Sequence, residues 1–424
     1  MNYKRRLVFL ARMAAALLLP GAAGCATHST SSPPEPSSPL AGWTTTRGGD
    51  EGRVITVDTL AADGPGSLAA AIAAEGPRKV VFKVAGVIDL SGRSLRVRQP
   101  HLTIAGETAP SPGITLIRGG VGISTHDVVI RHLRVRPGEA GRGKGSGWDV
   151  DGIATSGGAH DVVIDHCSVS WSTDENLTAS GPRFQGKSIE EWRRNTSHRI
   201  TFSHCLIAEG LRLSTHSKGT PHSMGSLIHD NTSDIAIVGN LYISNGARNP
   251  LFKGGARGAV VNNLIHNPGG SAISFGLVPV EWEGHDWVRG AMVIVGNVTR
   301  KGPDTPAQLN AIRFGSVWGV AECDAFIKDN LLFDADGKPL PLKPAGDYRA
   351  LPEAPFWPPR LQARPSGEVA AWVLANVGAR PWDRDVVDRR LVEEARAGKG
   401  KIIDSEREVG GYEILTAGNA RPQQ

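Results

Sequence analysis

The sequence predicts an all-β fold, a right-handed parallel β-helix, on three observations. First, a five-residue pattern recurs: two β-formers, a small or polar residue, His or Asn, then an apolar residue. It reads VIRHL at 129–133, VIDHC at 163–167, TFSHC at 201–205, IVGNL at 237–241, VVNNL at 260–264, IVGNV at 294–298 and IKDNL at 327–331. Second, its His/Asn positions advance by 34, 38, 36, 23, 34 and 33 residues, the length of one solenoid rung. Third, 52 glycines and 28 prolines among 424 residues demand frequent turns and argue against a helical bundle. With 40% apolar residues the chain can fill a long core, and four cysteines are too few for a disulfide-built scaffold.

From the N-terminus, Lys4, Arg5, Arg6 and Arg12 precede an apolar run, and Ala22-Ala23-Gly24 lead to Cys25. This is the layout of an export signal over 1–24. A cysteine at that place resembles a bacterial lipoprotein signal, with Cys25 acylated as the first mature residue; plain secretion is the alternative. The apolar run is shorter than the roughly 20 residues needed to span a bilayer. Removing 1–24 takes four of the 47 basic residues, so 43 face 42 acidic ones and the formal +5 falls to +1. Nucleic-acid binding thereby loses its electrostatic support. Residues 25–48 include the Ser/Pro-rich stretch 28–39 and read as a tether.

The β-helix is expected over 49–335. In it, His132, His166 and His204 continue into Asn240, Asn263, Asn297 and Asn330 as one turn column. Asn accepts left-handed backbone, and its amide can bond the same amide one rung away. The histidines are read as members of that turn ladder rather than as metal ligands. Leu133, Cys167, Cys205, Leu241 and Leu264 would form the next, inward column. That makes Cys167 and Cys205 buried neighbours, with a disulfide as the second reading. Long intervals mark loops at 138–147, at 181–198 with a short helix over 189–194, and at 279–289 with Trp282 and Trp287. Residues 336–424 are expected to pack outside the helix as an arm over 336–365 followed by helices at 368–376 and 383–397.

Three groups of side chains can do chemistry. Asp149 and Asp151 are two apart on what reads as a strand, so both project from one face. Asp174 and Glu175 follow one rung on. Four carboxylates that close are costly without a cation, and hard oxygen donors favour Ca²⁺ over zinc. The third group is basic: His216, Lys218, His222, Arg248 and Lys253. A cationic face beside a cation-binding carboxylate face suits an acidic polysaccharide. Solvated acidic and basic turns are the plain alternative. Trp148 and Trp171 flank the acids and offer sugar stacking, with core packing as the commoner role.

Several segments together resemble polysaccharide lyase family 1, the pectate lyase-like right-handed β-helix proteins. They are Gly66-Ser67-Leu68, the stretch Pro100-His101-Leu102-Thr103-Ile104-Ala105-Gly106, and Asp165-His166-Cys167-Ser168 through Trp171 with Asp174-Glu175. Arg248-Asn249-Pro250-Leu251-Phe252-Lys253 and Gly378-Ala379-Arg380-Pro381-Trp382-Asp383-Arg384-Asp385 complete the set. The resemblance covers about residues 50–410. It implies Ca²⁺-assisted β-elimination on α-1,4-linked galacturonan. Asp149 and Asp151 match the family's first carboxylate pair, and Asp174 or Glu175 the next acidic position. Arg248 matches the arginine taken as general base. Lys253 matches a substrate-binding base, with Asn249 and Trp171 on the same substrate side. Lys218 and His222 compete for the position that holds the substrate carboxylate. A monomer is expected. A non-catalytic polysaccharide-binding β-helix, and a uronate hydrolase or epimerase, are the competing readings. Hydrolysis ranks lower because no second carboxylate pair carries its own acid partner.

Overall fold

The computed structural model describes residues 42–315 and 319–417. The export signal over 1–24, Cys25 and the tether as far as residue 41 lie outside them. The chain coils through three long sheets of 11, 8 and 10 strands. Each full rung gives one strand to each: His160–Asp165 to the first, Ser168–Ser170 to the ten-stranded sheet and Glu175–Ala179 to the eight-stranded sheet. The next rung repeats the order with His198–Ser203, Leu206–Ala208 and Met224–Ile228. Neighbouring strands pair in parallel, apart from the last pair of the ten-stranded sheet. The enclosed space is filled by fully buried residues such as Val162, Ile164, Val169, Leu177, Ile200, Phe202 and Phe252. The short helix α1, Leu68–Ala73, packs against the first rungs, and Ser67 caps it by accepting from Ala70 N; a second short helix, α2, spans Ile189–Asn195 in the 181–198 loop.

The turn column is real, but its register differs by one from the sequence expectation. Asp165, Ser203, Val238, Val261, Val295 and Lys328 are aligned from rung to rung. His166 and His204 therefore stand over Gly239, Asn262, Gly296 and Asp329. All six hold positive φ, between 47° and 68°, as does His132. The asparagines come one residue later, in line with Cys167 and Cys205. Asn240 Nδ2 donates to Asn263 Oδ1 (2.9 Å), Asn263 to Asn297 (2.9 Å) and Asn297 to Asn330 (3.0 Å). Cys205 N donates to Asn240 Oδ1 at 2.8 Å, which joins the thiol positions to the amide ladder. Both cysteines are free and buried. His132, His166 and His204 stack with ring centroids 5.1 and 4.5 Å apart.

Leu241 and Leu264 consequently leave the cysteine column and align with Leu206 and Val298 on the outer face of the ten-stranded sheet. Helix α3, Ser366–Asn376, and helix α4, Val386–Ala397, cover that face through Val369, Val373, Leu374, Val387 and Leu391. Helix α4 starts at Val386 because the Asp385 side chain caps it, accepting from Asp388 N. Beneath its first turn, Arg136 donates to Asp385 (2.6 and 3.1 Å) and Asp388 (2.7 Å), and Arg134 to Asp388 (3.1 Å).

Candidate active site

The carboxylates gather where the rungs turn into the eight-stranded sheet. Ile153 pairs with Leu177, which sets Asp151 opposite Glu175; Glu175 N donates to Asp151 Oδ1 at 3.0 Å. Glu175 pairs with Met224, and Met224 bridges to Ala247, so Arg248 follows on the rung after. Asp151, Asp174 and Glu175 each bring one oxygen to within 4.8 Å of the others.

Asp149 is not part of that cluster. Residues 148–151 are not a strand, and the side chain turns to the 216–219 loop, accepting from Ser217 N at 2.8 Å. The expected Asp149/Asp151 pair on one strand face is thereby corrected.

Electrostatically the three acids are unevenly compensated. Burial and then the neighbouring Asp174 push the Asp151 carboxyl up to about 8. Burial would raise Asp174 too, but the hydrogen bond from His222 and the charges of His222 and Arg248 outweigh it and hold it low. Arg248 meets the buried Glu175 directly, in an ion pair on Oε1. Burial lowers the Arg248 guanidinium from its usual value, opposed by Asp174 and Asp151.

Two histidines close one side. His216 and His222 are buried and stacked, with centroids 3.8 Å apart. His222 Nε2 donates to Asp174 Oδ1 at 2.7 Å. His216 Nδ1 accepts from the Lys218 backbone N–H (3.1 Å), and burial, then His222, lowers its basicity. The neutral ring must then carry its proton on Nε2, which lies 3.7 Å from Asp174 and 3.9 Å from Asp149. His216 thus presents a donor to the acids, not a metal-binding lone pair.

Other expected site residues are placed differently. Lys218 is exposed, and its backbone rather than its ammonium makes the contact just described. Lys253 is buried against Asp230 (3.3 Å) and Glu281 and is not free to meet a substrate. Asp230 also accepts from Trp282 Nε1 (2.8 Å) and Arg183 Nε (3.1 Å). Trp171 is fully buried and donates its indole N–H to Glu209 at 2.9 Å, so no sugar stacks on it. Asn249 is buried too, bonded to Asn245 and to Ser271 O. Asp230, Glu281 and Arg183 escaped the sequence reading. The short 23-residue interval was the available signal, because it sets His229 and Asp230 across from Lys253 and Gly254.

The cluster's donor set fits a hard divalent cation: three carboxylates gathered within reach of one ion, one of them pushed up by burial and by its acidic neighbour.

No family model matches the chain. A curated protein of Aspergillus terreus named "Probable pectate lyase C" is 32% identical over 382 residues, covering 88% of this chain and 80% of that one. The chain belongs to the pectate lyase family. A protein of the same name from Neosartorya fischeri is 31% identical over 382 residues, 88% of this chain and 79% of its own. Pectate lyase membership makes the protein an enzyme of the polysaccharide lyase class. Solved structures show the fold. The cedar pollen allergen jun a 1 matches 80% of this chain and 92% of its own, with a TM-score of 0.52 at 16% identity. A Bacillus subtilis pectate lyase variant matches 80% and 96%, with a TM-score of 0.50 at 15% identity.

Proposed function

We propose that this lyase cleaves α-1,4-linked galacturonan by β-elimination, with Ca²⁺ as its cofactor. The convergence of Asp151, Asp174 and Glu175 beside the half-buried Arg248 carries the reading. Bound by these three residues, calcium supplies positive charge for the substrate carboxylate and for the negative charge that develops next to it.

Arg248 is the base that takes the proton α to the uronate carboxylate. A guanidinium resists that role in water, but here burial favours its neutral form. Asp174 and Asp151 oppose this through their negative charge. Neutralising that charge weakens the opposition to burial, leaving Glu281 and the Glu175 contact. The proton leaves C5 for Arg248, the C5–H electron pair forms a C4=C5 double bond at one new chain end, and the C4–O pair departs with the glycosidic oxygen, which takes a proton from water to become the hydroxyl of the other end. His222 and His216 act on Asp174 as positioning residues. Of the two candidates for the substrate-carboxylate position, Lys218 is exposed, while His222 is buried and already committed to Asp174. The proposal includes export by residues 1–24 and lipid attachment at Cys25, which would place the enzyme where the polymer is.

The test is ultraviolet absorbance during incubation with polygalacturonate. Absorbance should climb with Ca²⁺ and stop with a chelator. A flat trace in both conditions rejects galacturonan lysis.

A further inference from the structure

A cavity of about 380 Å³ opens beside the carboxylate cluster and shares His222 with it. It crosses three rungs, at residues 222–224, 246–247 and 269–270, tied by the Met224–Ala247 bridge and by Gly269 N and Gly270 N bonding to Asn245 O and Gly246 O. Its size is that of a ligand site, and its position is one step along the solenoid from the acids.

The walls are apolar where a uronate would need charge. Met224, Ala247 and Ile402 line the cavity, with glycine backbone between them. Its two basic side chains are both engaged: Arg212 with Asp404 at 2.8 and 3.4 Å, and His222 with Asp174. Asp304 adds a carboxylate, itself bonded to Asn267 Nδ2 (3.0 Å) and Ile402 N (2.8 Å). A free carboxylate entering here would lose water, gain no cation and face Asp304. A methyl ester removes that charge and gives the apolar wall a methyl group to cover.

We propose that this cavity is a subsite for a methyl-esterified hexuronate unit, adjoining the unesterified unit at the carboxylate cluster. The inference rests on the galacturonan reading above and specifies its substrate as the partly esterified polymer. Gly270 offers a way to block the cavity: a Cβ there would meet just Gly246 O, at 3.6 Å.

The experiment compares wild type, Gly270→Leu and Asp404→Asn on partly methyl-esterified and fully de-esterified galacturonan, by kcat/KM. Calorimetric binding of defined trigalacturonides with and without one methyl ester accompanies it. Wild type should favour the partly esterified substrate on the order of tenfold, the scale of one methyl in a shaped apolar pocket. Gly270→Leu should erase that preference and leave the de-esterified polymer within about twofold. Asp404→Asn, by releasing Arg212, should shift preference toward the free acid. A wild type that prefers the de-esterified polymer, or a Gly270→Leu that weakens both substrates alike, overturns the subsite. So does an uncharged oligosaccharide of equal length that competes as well as the ester. Should neither polymer yield unsaturated product, the catalytic reading fails, and the trimer affinities decide the subsite alone. Tighter ester binding lost in Gly270→Leu supports it, and equal binding of both trimers rejects it.

Discussion

Two charged clusters sit in this molecule, one buried and one half-buried, and they are built on opposite terms. Under helix α4, Arg134 and Arg136 meet Asp385 and Asp388 in near one-to-one balance, through several direct hydrogen bonds. There, although burial alone would raise it, the two arginines hold the Asp385 carboxyl well below its ordinary range, and the two aspartates hold Arg136 above its own. At the candidate active site, three carboxylates face one arginine, Asp151 is pushed up and Arg248 is lowered. The first cluster is saturated and fixes the C-terminal helices to the solenoid. The second is left short of positive charge. Ionic partners that pull each other's titration apart stabilise; partners left displaced toward neutrality are poised to bind something or to move a proton.

The contrast can be broken most severely at Arg248. Arg248→Ala should lower lyase turnover by about 10²–10⁴-fold, the range for loss of a proton-transfer group, while oligogalacturonate binding persists. Activity retained within tenfold would remove the base from the mechanism.

Next in size is the cluster under helix α4. Asp388→Ala leaves Arg134 and Arg136 undercompensated and should cost about 3–5 kcal/mol in denaturant unfolding. At the active site the sign reverses. Asp151→Asn relieves repulsion and should stabilise the chelator-treated protein, by roughly 2 kcal/mol. The same substitution should abolish the rise in Tm that added Ca²⁺ gives the wild type.

The two clusters also impose opposite pH slopes. Asp385 binds its proton less tightly folded than unfolded, so its contribution is present above the unfolded value, about 4, and is lost as pH falls below it. Asp151 binds its proton more tightly folded, so in chelator its contribution declines as pH rises from about 4 toward 8. Thermal melts of wild type and Asp151→Asn from pH 4 to 8 should diverge with rising pH, and parallel curves would refute the displaced carboxyl.

The smallest effect is expected at Lys218. Its exposed ammonium should be dispensable, with Lys218→Ala changing kcat/KM by no more than about twofold. A large loss would restore it as the group that meets the substrate carboxylate.

The contrast also explains what could be read from sequence. The solenoid was legible because each rung repeats a local requirement: a left-handed turn residue, then an inward one. The one-residue error arose because His and Asn both tolerate left-handed backbone. His204 and Asn240 looked equivalent, although Gly239 makes the turn and Asn240 builds the ladder. Asp151, Asp174, Glu175 and Arg248 were legible because rung spacing alone brings them together. Asp149 was misread because the Gly/Lys/Arg loop before it replaces the strand that would have aligned it. Lys253 and Trp171 were misread for a different reason. What decides their exposure, Glu281 in a later loop and the α4 layer over Glu209, lies far away in the chain.

The asparagine ladder has a direction. From Cys205 N through Asn240, Asn263, Asn297 and Asn330, each group donates forward and accepts from behind, and Asn330 ends the series on Ile294 O and Lys328 O. No single amide can reverse without facing its neighbours oxygen to oxygen or amine to amine. The ladder is therefore a polarised filament that accepts any further rung offering Asn in the same place. Whole rungs can be duplicated along the asparagine half of the solenoid with every amide still paired. In the cysteine half, where thiols occupy the same column, a duplicated rung would extend the stack without extending the filament.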